Sequence, residues 1–238
     1  MLLDSIQDMQ TPHHVEGVAF RESGKTVVNP PRPINRNLDE LPLPAWDLVD
    51  IESYRKIWQR HHGYFSLNIA TTRGCPFKCN WCAKPIYGSR YNSRSPEQVV
   101  SEIEFLLQSF HPDHFWISDD IFGLKPGWIL QFAKLVKDKR LKFKYKIQSR
   151  VDLLLEGHNV DALAESGAET IWVGAESGSQ KILDAMDKGT TVLQIQKATH
   201  LLKQKRIQVG FFLQLGYPGE MKEDIDATLK LVFREDRS

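Results

Sequence analysis

The sequence predicts an α/β fold, a partial (βα) barrel preceded by a small hairpin and a Pro-rich linker. Three observations carry this. From about residue 64 onward, short apolar runs alternate with helical patterns, as in a parallel sheet with right-handed crossovers. A complete eightfold barrel takes about 250 residues, more than the run from 64 to 238 offers. Residues able to do chemistry follow each apolar run, and in βα barrels the working groups gather at the carboxyl ends of the strands.

Residues 1–60 read as hairpin and linker, and 61–238 as the core. VEGVAF, a turn at ESGK and TVVN form the expected hairpin. PPRPINRNLDELPLPAWDL is Pro-rich and polar, so an extended connector is expected. The expected strands are 65–71 (FSLNIAT), 114–119 (HFWISD), 143–149 (FKYKIQS), 170–175 (TIWVGA) and 207–214 (IQVGFFLQ). Ser95 can cap a helix with Pro96 at its first position and Val99, Val100, Ile103 and Leu106 on one face. Further helices are expected at 126–139, at 160–166 before Gly167, at 180–186, at 192–205 and after Gly219.

The bulk numbers exclude some functions. With 238 residues, one substantial core is affordable in area terms. A net charge of +1 gives no strong field for nucleic acid or anionic lipid. The basic run 137–146 alternates with apolar residues on a strand edge, which suits a solvated face better than a nucleic-acid footprint. Apolar runs such as GFFLQLG are too short for a membrane span, and MLLDSIQDMQ lacks the basic and apolar regions of a signal peptide. Reduced cysteines then suit a cytoplasmic location.

The three cysteines of the chain are Cys75, Cys79 and Cys82, a C-x3-C-x2-C loop just after the first barrel strand. Thiolates are the usual ligands of a [4Fe–4S] cluster, and three of them leave one iron open to another ligand. Zinc is the rival, with His61 or His62 able to complete its four donors. A disulfide framework is disfavoured by the odd count and the short spacing. Asp119 and Asp120 follow the second strand, Ser149 and Arg150 end the third, Glu176 ends the fourth and GYPGE ends the fifth. Asp119 and Asp120 are adjacent, so strand alternation turns one in and one away; either could instead cap a turn. Arg150 can grip a carboxylate with two donors, or pair with Asp152. Glu176 sits in GAESGS, a strand-to-helix turn with Ser179 as the expected cap.

The cysteine loop with Trp81 before Cys82, together with IYGSRYNSRSPEQVVSEIEFL, FWISDDIFG, SRVDLL, IWVGAESGSQKILDAMDKGTT and GFFLQLGYPGE, resembles the radical S-adenosylmethionine (SAM) enzymes. The match is to their cobalamin-dependent branch, which includes methyltransferases and the anaerobic magnesium-protoporphyrin ester cyclase. The resemblance covers residues 15–238. It implies a six-unit partial barrel of which five βα units are present, a [4Fe–4S] cluster on the three cysteines and SAM chelated to the open iron. It further implies reductive cleavage of SAM to a 5′-deoxyadenosyl radical, used for cobalamin-dependent methylation or radical remodelling of a small molecule. Trp81, Asp119, Asp120, Ser149, Arg150 and Glu176 become the expected cofactor contacts. Ser-Asp-Asp stands where many relatives carry Gly-Gly-Glu, which leaves the ammonium-binding residue open. A one-electron donor such as flavodoxin or ferredoxin is the expected partner. Cobalamin would be bound by an upstream domain that no stretch of this chain can form, and the sixth strand would lie beyond the C-terminus, leaving the 207–214 strand as an unpaired edge. The alternatives are a methylthiotransferase-like enzyme acting on RNA or protein, whose second cysteine set is absent, and a zinc- or cluster-stabilised binding module.

Overall fold

A computed structural model describes residues 2–7, 11–83 and 88–236. The chain divides into two compact units, Met1–Arg36 and Asn37–Ser238. The first holds helix α1 (Leu2–Gln7) and an antiparallel hairpin, β1 (Ala19–Glu22) and β2 (Lys25–Val28). Ser23 and Gly24 both take positive φ, 49° and 78°, as a two-residue hairpin turn requires. With little apolar material, the unit closes through polar contacts. The buried Asn29 side chain donates to Pro12 O at 2.6 Å and Val15 O at 2.8 Å.

The second unit begins earlier than the expected boundary at residue 60. Leu38 is buried, and the Asp39 carboxylate accepts from Ser95 N at 2.9 Å. Part of the expected connector is helix α2 (Ile51–His62), capped by Asp50, which accepts from Ser53 N at 3.1 Å, and stopped by Gly63 with φ of 79°. Ile51, Tyr54 and Trp58 recur at helical spacing, and Ile51 and Tyr54 pack into the barrel core.

The barrel elements follow in order: β3 (Ser66–Ile69), β4 (Thr72–Arg73), β5 (Asn92–Ser93), α3 (Pro96–Phe110), β6 (His114–Ile117), α4 (Trp128–Asp138), β7 (Lys144–Ser149), α5 (Val151–Leu154), α6 (Asn159–Ser166), β8 (Ala168–Glu176), α7 (Gln180–Ala185), α8 (Val192–Gln204), β9 (Gln208–Leu213) and α9 (Lys222–Asp236). The main sheet is five-stranded and parallel throughout, in the order β3-β6-β7-β8-β9. Every expected strand and helix of the core is present. Ser95 caps α3 as expected, accepting from Gln98 N at 3.2 Å. Gly167 ends α6 with φ of 101°.

The two sheet faces differ. Leu67, Phe115, Tyr145, Ile171 and Val173 are fully buried with Ile103, Phe132, Leu163 and Leu202 of the helices. Alternate residues point the other way, and there Asn68, Trp116 and Lys146 share one register row. Among the described residues, no helix is long and apolar enough to cross a membrane.

Candidate functional site

A cavity of about 610 Å³ opens at the carboxyl ends of the strands. Its lining includes Cys75, Cys79, Cys82, Trp81, Asp120, Ser149, Arg150 and Glu176. Of the residues expected at the site, only Asp119 is outside the lining.

The cysteine loop is held at its base. Strands β4 and β5 pair antiparallel and bring the two ends of the segment 74–91 together. Beneath them lies Asp119, 2% exposed, whose carboxylate accepts from Thr71 N at 2.7 Å, Thr72 N at 3.0 Å and the Thr71 hydroxyl. This corrects the expectation that Asp119 contacts a cofactor: its oxygens are spent on the backbone that launches the loop. Burial raises its pKa to about 6, against the hydrogen bonds, which lower it. Asp120 instead lines the cavity; both residues lie past the end of β6 at Ile117, so the loop after the strand, not strand alternation, turns the two apart.

The far end of the loop is tied to two others. Asn80 N donates to Met186 O at 3.1 Å, and Asn80 Nδ2 to Ala185 O at 2.7 Å. The Tyr217 hydroxyl, from the GYPGE turn, lies 2.8 Å from both Asn80 Oδ1 and Ala185 O. Cys75 is half-buried, Cys79 buried and Cys82 exposed. Burial pushes the Cys75 thiol above its usual range, and Asp120 and the other two cysteines add to the rise. A cationic metal centre would reverse that trend and displace the proton.

Among the described residues, no three His, Cys, Asp or Glu side chains converge to hold a single metal ion. His61 and His62, the expected fourth zinc ligands, are exposed on α2 and do not line the cavity. Three thiols on one cavity lining are the donor type that a polynuclear iron–sulfur cluster takes. Among the described residues, two buried polar atoms of the lining also lack partners: Ser149 Oγ and Trp81 Nε1. Such orphans are costly unless a ligand satisfies them. The donor set therefore fits a cluster together with a polar ligand.

Across the cavity, Glu176 ends β8 at a bulge in the pairing with β9. Its φ is +59°, rare for a residue with a side chain. Gln214 N–H holds its carbonyl at 2.9 Å. Glu176 Oε1 accepts from Lys188 Nζ at 2.7 Å, with side-chain exposures of only 6% and 8%. Gly174 makes room for this pair, because a Cβ there would sit 2.6 Å from Lys188 Nζ and 2.7 Å from Glu176 Oε1. Lys188 was legible only as part of the MDKGTT run; the fold shows its importance by placing it against Glu176.

Arg150 takes the alternative role open to it. Its guanidinium grips Asp152, with Nε at 3.0 Å and Nη2 at 2.9 Å from the carboxylate, and Nη2 donates to Lys188 O at 3.1 Å. It also lies 3.6 Å from the centre of the Phe77 ring. It thus joins the cysteine loop to the Lys188 turn. Ser179 does not cap α7 with its side chain; its Oγ donates to Asp224 Oδ1 at 2.6 Å. Asp224 also accepts from Lys181 Nζ at 2.6 Å and Met221 N at 3.0 Å. Gly178 N donates to Thr228 Oγ1 at 2.8 Å, so α9 grips the loop after Glu176.

The radical SAM superfamily matches residues 69–232, most of the chain. A protein of Pyrococcus horikoshii described as an uncharacterized methyltransferase is 30% identical over 99% of this chain and 50% of its own length. The anaerobic magnesium-protoporphyrin IX monomethyl ester cyclase of Rubrivivax gelatinosus is 28% identical over 91% of this chain and 39% of its own. The chain thus spans half or less of these curated relatives. Among solved structures, the methyltransferase TsrM from Kitasatospora setae superimposes with a TM-score of 0.79 at 18% identity, covering 99% of this chain and 47% of that one. The cobalamin-dependent SAM radical enzyme OxsB superimposes with a TM-score of 0.77 at 22% identity, covering 97% and 34%. These likenesses show the fold, and the chain belongs to the radical SAM superfamily, whose enzymes use a [4Fe–4S] cluster and SAM.

Proposed function

We propose that this chain is the catalytic core of a cobalamin-dependent radical SAM enzyme that methylates or cyclises a small molecule, with cobalamin held by a part of the protein outside this sequence. The observation that carries the reading is convergence. Residues from four strand ends and the GYPGE-linked cysteine loop meet on one cavity. The relatives named methyltransferase and cyclase support the reaction class. Bound there, the cluster and SAM would supply one-electron, radical chemistry.

The protein's own part is placement. Cys75, Cys79 and Cys82 would hold three irons. The Glu176–Lys188 pair offers a carboxylate to the ammonium or ribose of SAM and an ammonium to its carboxylate, so the zwitterion can replace each ion's present partner. Ser149 Oγ and Trp81 Nε1 supply further polar contacts. Arg150 keeps the two sides of the cavity in register, and Phe77, Trp172 and Phe212 exclude water from the lining. A reductant such as flavodoxin or ferredoxin and a cytoplasmic setting complete the reading.

Anaerobic reconstitution tests it. The expected product contains about four irons and as many sulfides per chain, binds SAM, and releases 5′-deoxyadenosine slowly when reduced. One zinc and no sulfide would sink the proposal.

A further inference from the structure

The sheet face turned away from the helices carries an aromatic shelf that continues from the cavity wall. Trp172 and Phe212 line the cavity with ring centroids 5.1 Å apart and an interplanar angle of 31°. Both are large apolar side chains left open, at 37% and 42% exposure. Trp172 pairs in register with Gly210 of β9, and a Cβ on Gly210 would lie 2.5–2.8 Å from three atoms of the indole. Only glycine lets the indole lie flat on the neighbouring strand. A ring pressed flat against backbone offers its opposite face to whatever enters.

A cation lies further down the same face. Lys146 stands two residues before Gln148, the register partner of Trp172. That places its Cα about 9 Å from that of Trp172, from roughly 7 Å along the strand and 5 Å across. Its Nζ sits 3.7 Å from the centre of the Trp116 ring. Among the described residues, no carboxylate pairs with it. The group below is His114, buried and bonded to Ser66 Oγ at 2.9 Å, and its pKa is pushed down to about 4 by burial and by Lys146 itself. Burial lowers the Lys146 pKa as well. A partly desolvated cation over an aromatic ring, facing a neutral imidazole, is an anion site without its anion.

We propose that the substrate of this enzyme is a planar ring compound bearing a carboxylate or similar anion, its ring stacked on Trp172 beside Phe212 and its anion on Lys146. The inference rests on the radical SAM reading, because it makes this shelf the floor beneath the cofactors. An offset-stacked ring gains from both aromatic contact and area. The anion gains a charge-assisted bond in a half-dry setting. The arrangement would hold the ring on the cavity floor, beneath the polar groups assigned to SAM.

Calorimetry on the full chain, with and without cluster, tests this using indole-3-propionate, its neutral amide and cyclohexanepropionate. The acid is expected to bind about tenfold more tightly than either analogue, as a charge-assisted bond and a stacked ring allow. Lys146→Gln should reduce the acid to the amide's affinity, Lys146→Arg should retain it, and Trp172→Leu should weaken both indoles. Neither Lys146 variant should change iron content or SAM affinity. Equal affinity for acid and amide, no binding of any probe, or an unaltered acid affinity in Lys146→Gln would overturn the proposal. Because the probes need no cluster, failure to load iron while the probe pattern holds would count against the cofactor reading and in favour of the shelf.

Discussion

The two loops that enclose the cavity are each pinned by one carboxylate, and the two are held in opposite ways. Asp119 accepts three hydrogen bonds from Thr71 and Thr72, but burial outweighs them and its pKa rises to about 6. Asp224 accepts from Ser179 and Met221 as well, yet also meets Lys181, and its pKa falls to about 2. Asp119 is 2% exposed and bonded to neutral donors, so desolvation outweighs its hydrogen bonds; at Asp224 desolvation is a minor cause, and the bonds from Lys181 and Ser179 decide the sign. The cysteine loop thus rests on an acid that costs something to ionise, and the Glu176 loop on an acid that is ionised at any ordinary pH.

If the loops have separate duties, their variants should separate too. The largest effect is expected at the thiols. Cys79→Ala should lose essentially all of the roughly four irons expected of such a loop, whereas Glu176→Ala should keep its iron and lose SAM affinity by tenfold or more, in line with about 1.5–3 kcal/mol for a bond to a charged group. Iron analysis and equilibrium binding read the two independently. Equal iron loss in both variants would merge the two loops into one unit.

Next come the anchors. Asp119→Ala leaves three donors without an acceptor and should destabilise the chain by about 2–4 kcal/mol, since each buried orphan costs about 1–3 kcal/mol and some desolvation is relieved. Asp224→Ala should have a smaller effect on the unfolding temperature but weaken SAM binding several-fold through the Glu176 loop. Denaturant melts of the cluster-free chain check the first, and SAM titration checks the second.

Acid–base behaviour sharpens the contrast. Asp119 has a folded pKa near 6, above its ordinary 3.8, so the folded state holds the extra proton. Stability on its account therefore falls as pH rises from about 4 to about 6, by on the order of 2–3 kcal/mol. Asp224 has its folded pKa below the ordinary 3.8, so its contribution is whole above that value and is lost as pH falls toward about 2. Asp119→Asn should flatten the upper limb and Asp224→Asn the lower one, in pH-dependent melts of the cluster-free chain. The smallest effect belongs to Tyr217→Phe. It loosens the contact with Asn80 and Ala185 at an exposed position, costing about 0.5–1.5 kcal/mol and hastening the bleaching of cluster absorbance in air.

Much of this was readable along the chain. Alternating apolar periods located all five core strands, and Ser95-Pro96 and Gly167 located helix ends, because those signals act within a few residues of themselves. The cysteine spacing marked the three-thiolate loop for the same reason. Helix α2 was obscured by its Pro-rich approach, although Ile51, Tyr54 and Trp58 carried its period. The β4–β5 pairing was invisible because each partner is two residues long.

The sequence by itself determined the parallel α/β core, the three-thiolate loop and the set of polar residues at strand ends, since periodicity and spacing are local properties. Tertiary structure alone decided which of those residues face one another. Asp119 turned under the loop while Asp120 entered the cavity, Arg150 was taken by Asp152, and Lys188 arrived opposite Glu176 from twelve residues away. A side chain's partner across a bulge, or the room that Gly174 and Gly210 leave for Lys188 and Trp172, depends on the register of neighbouring strands. That register is set by packing the whole sheet, and no short stretch of sequence encodes it.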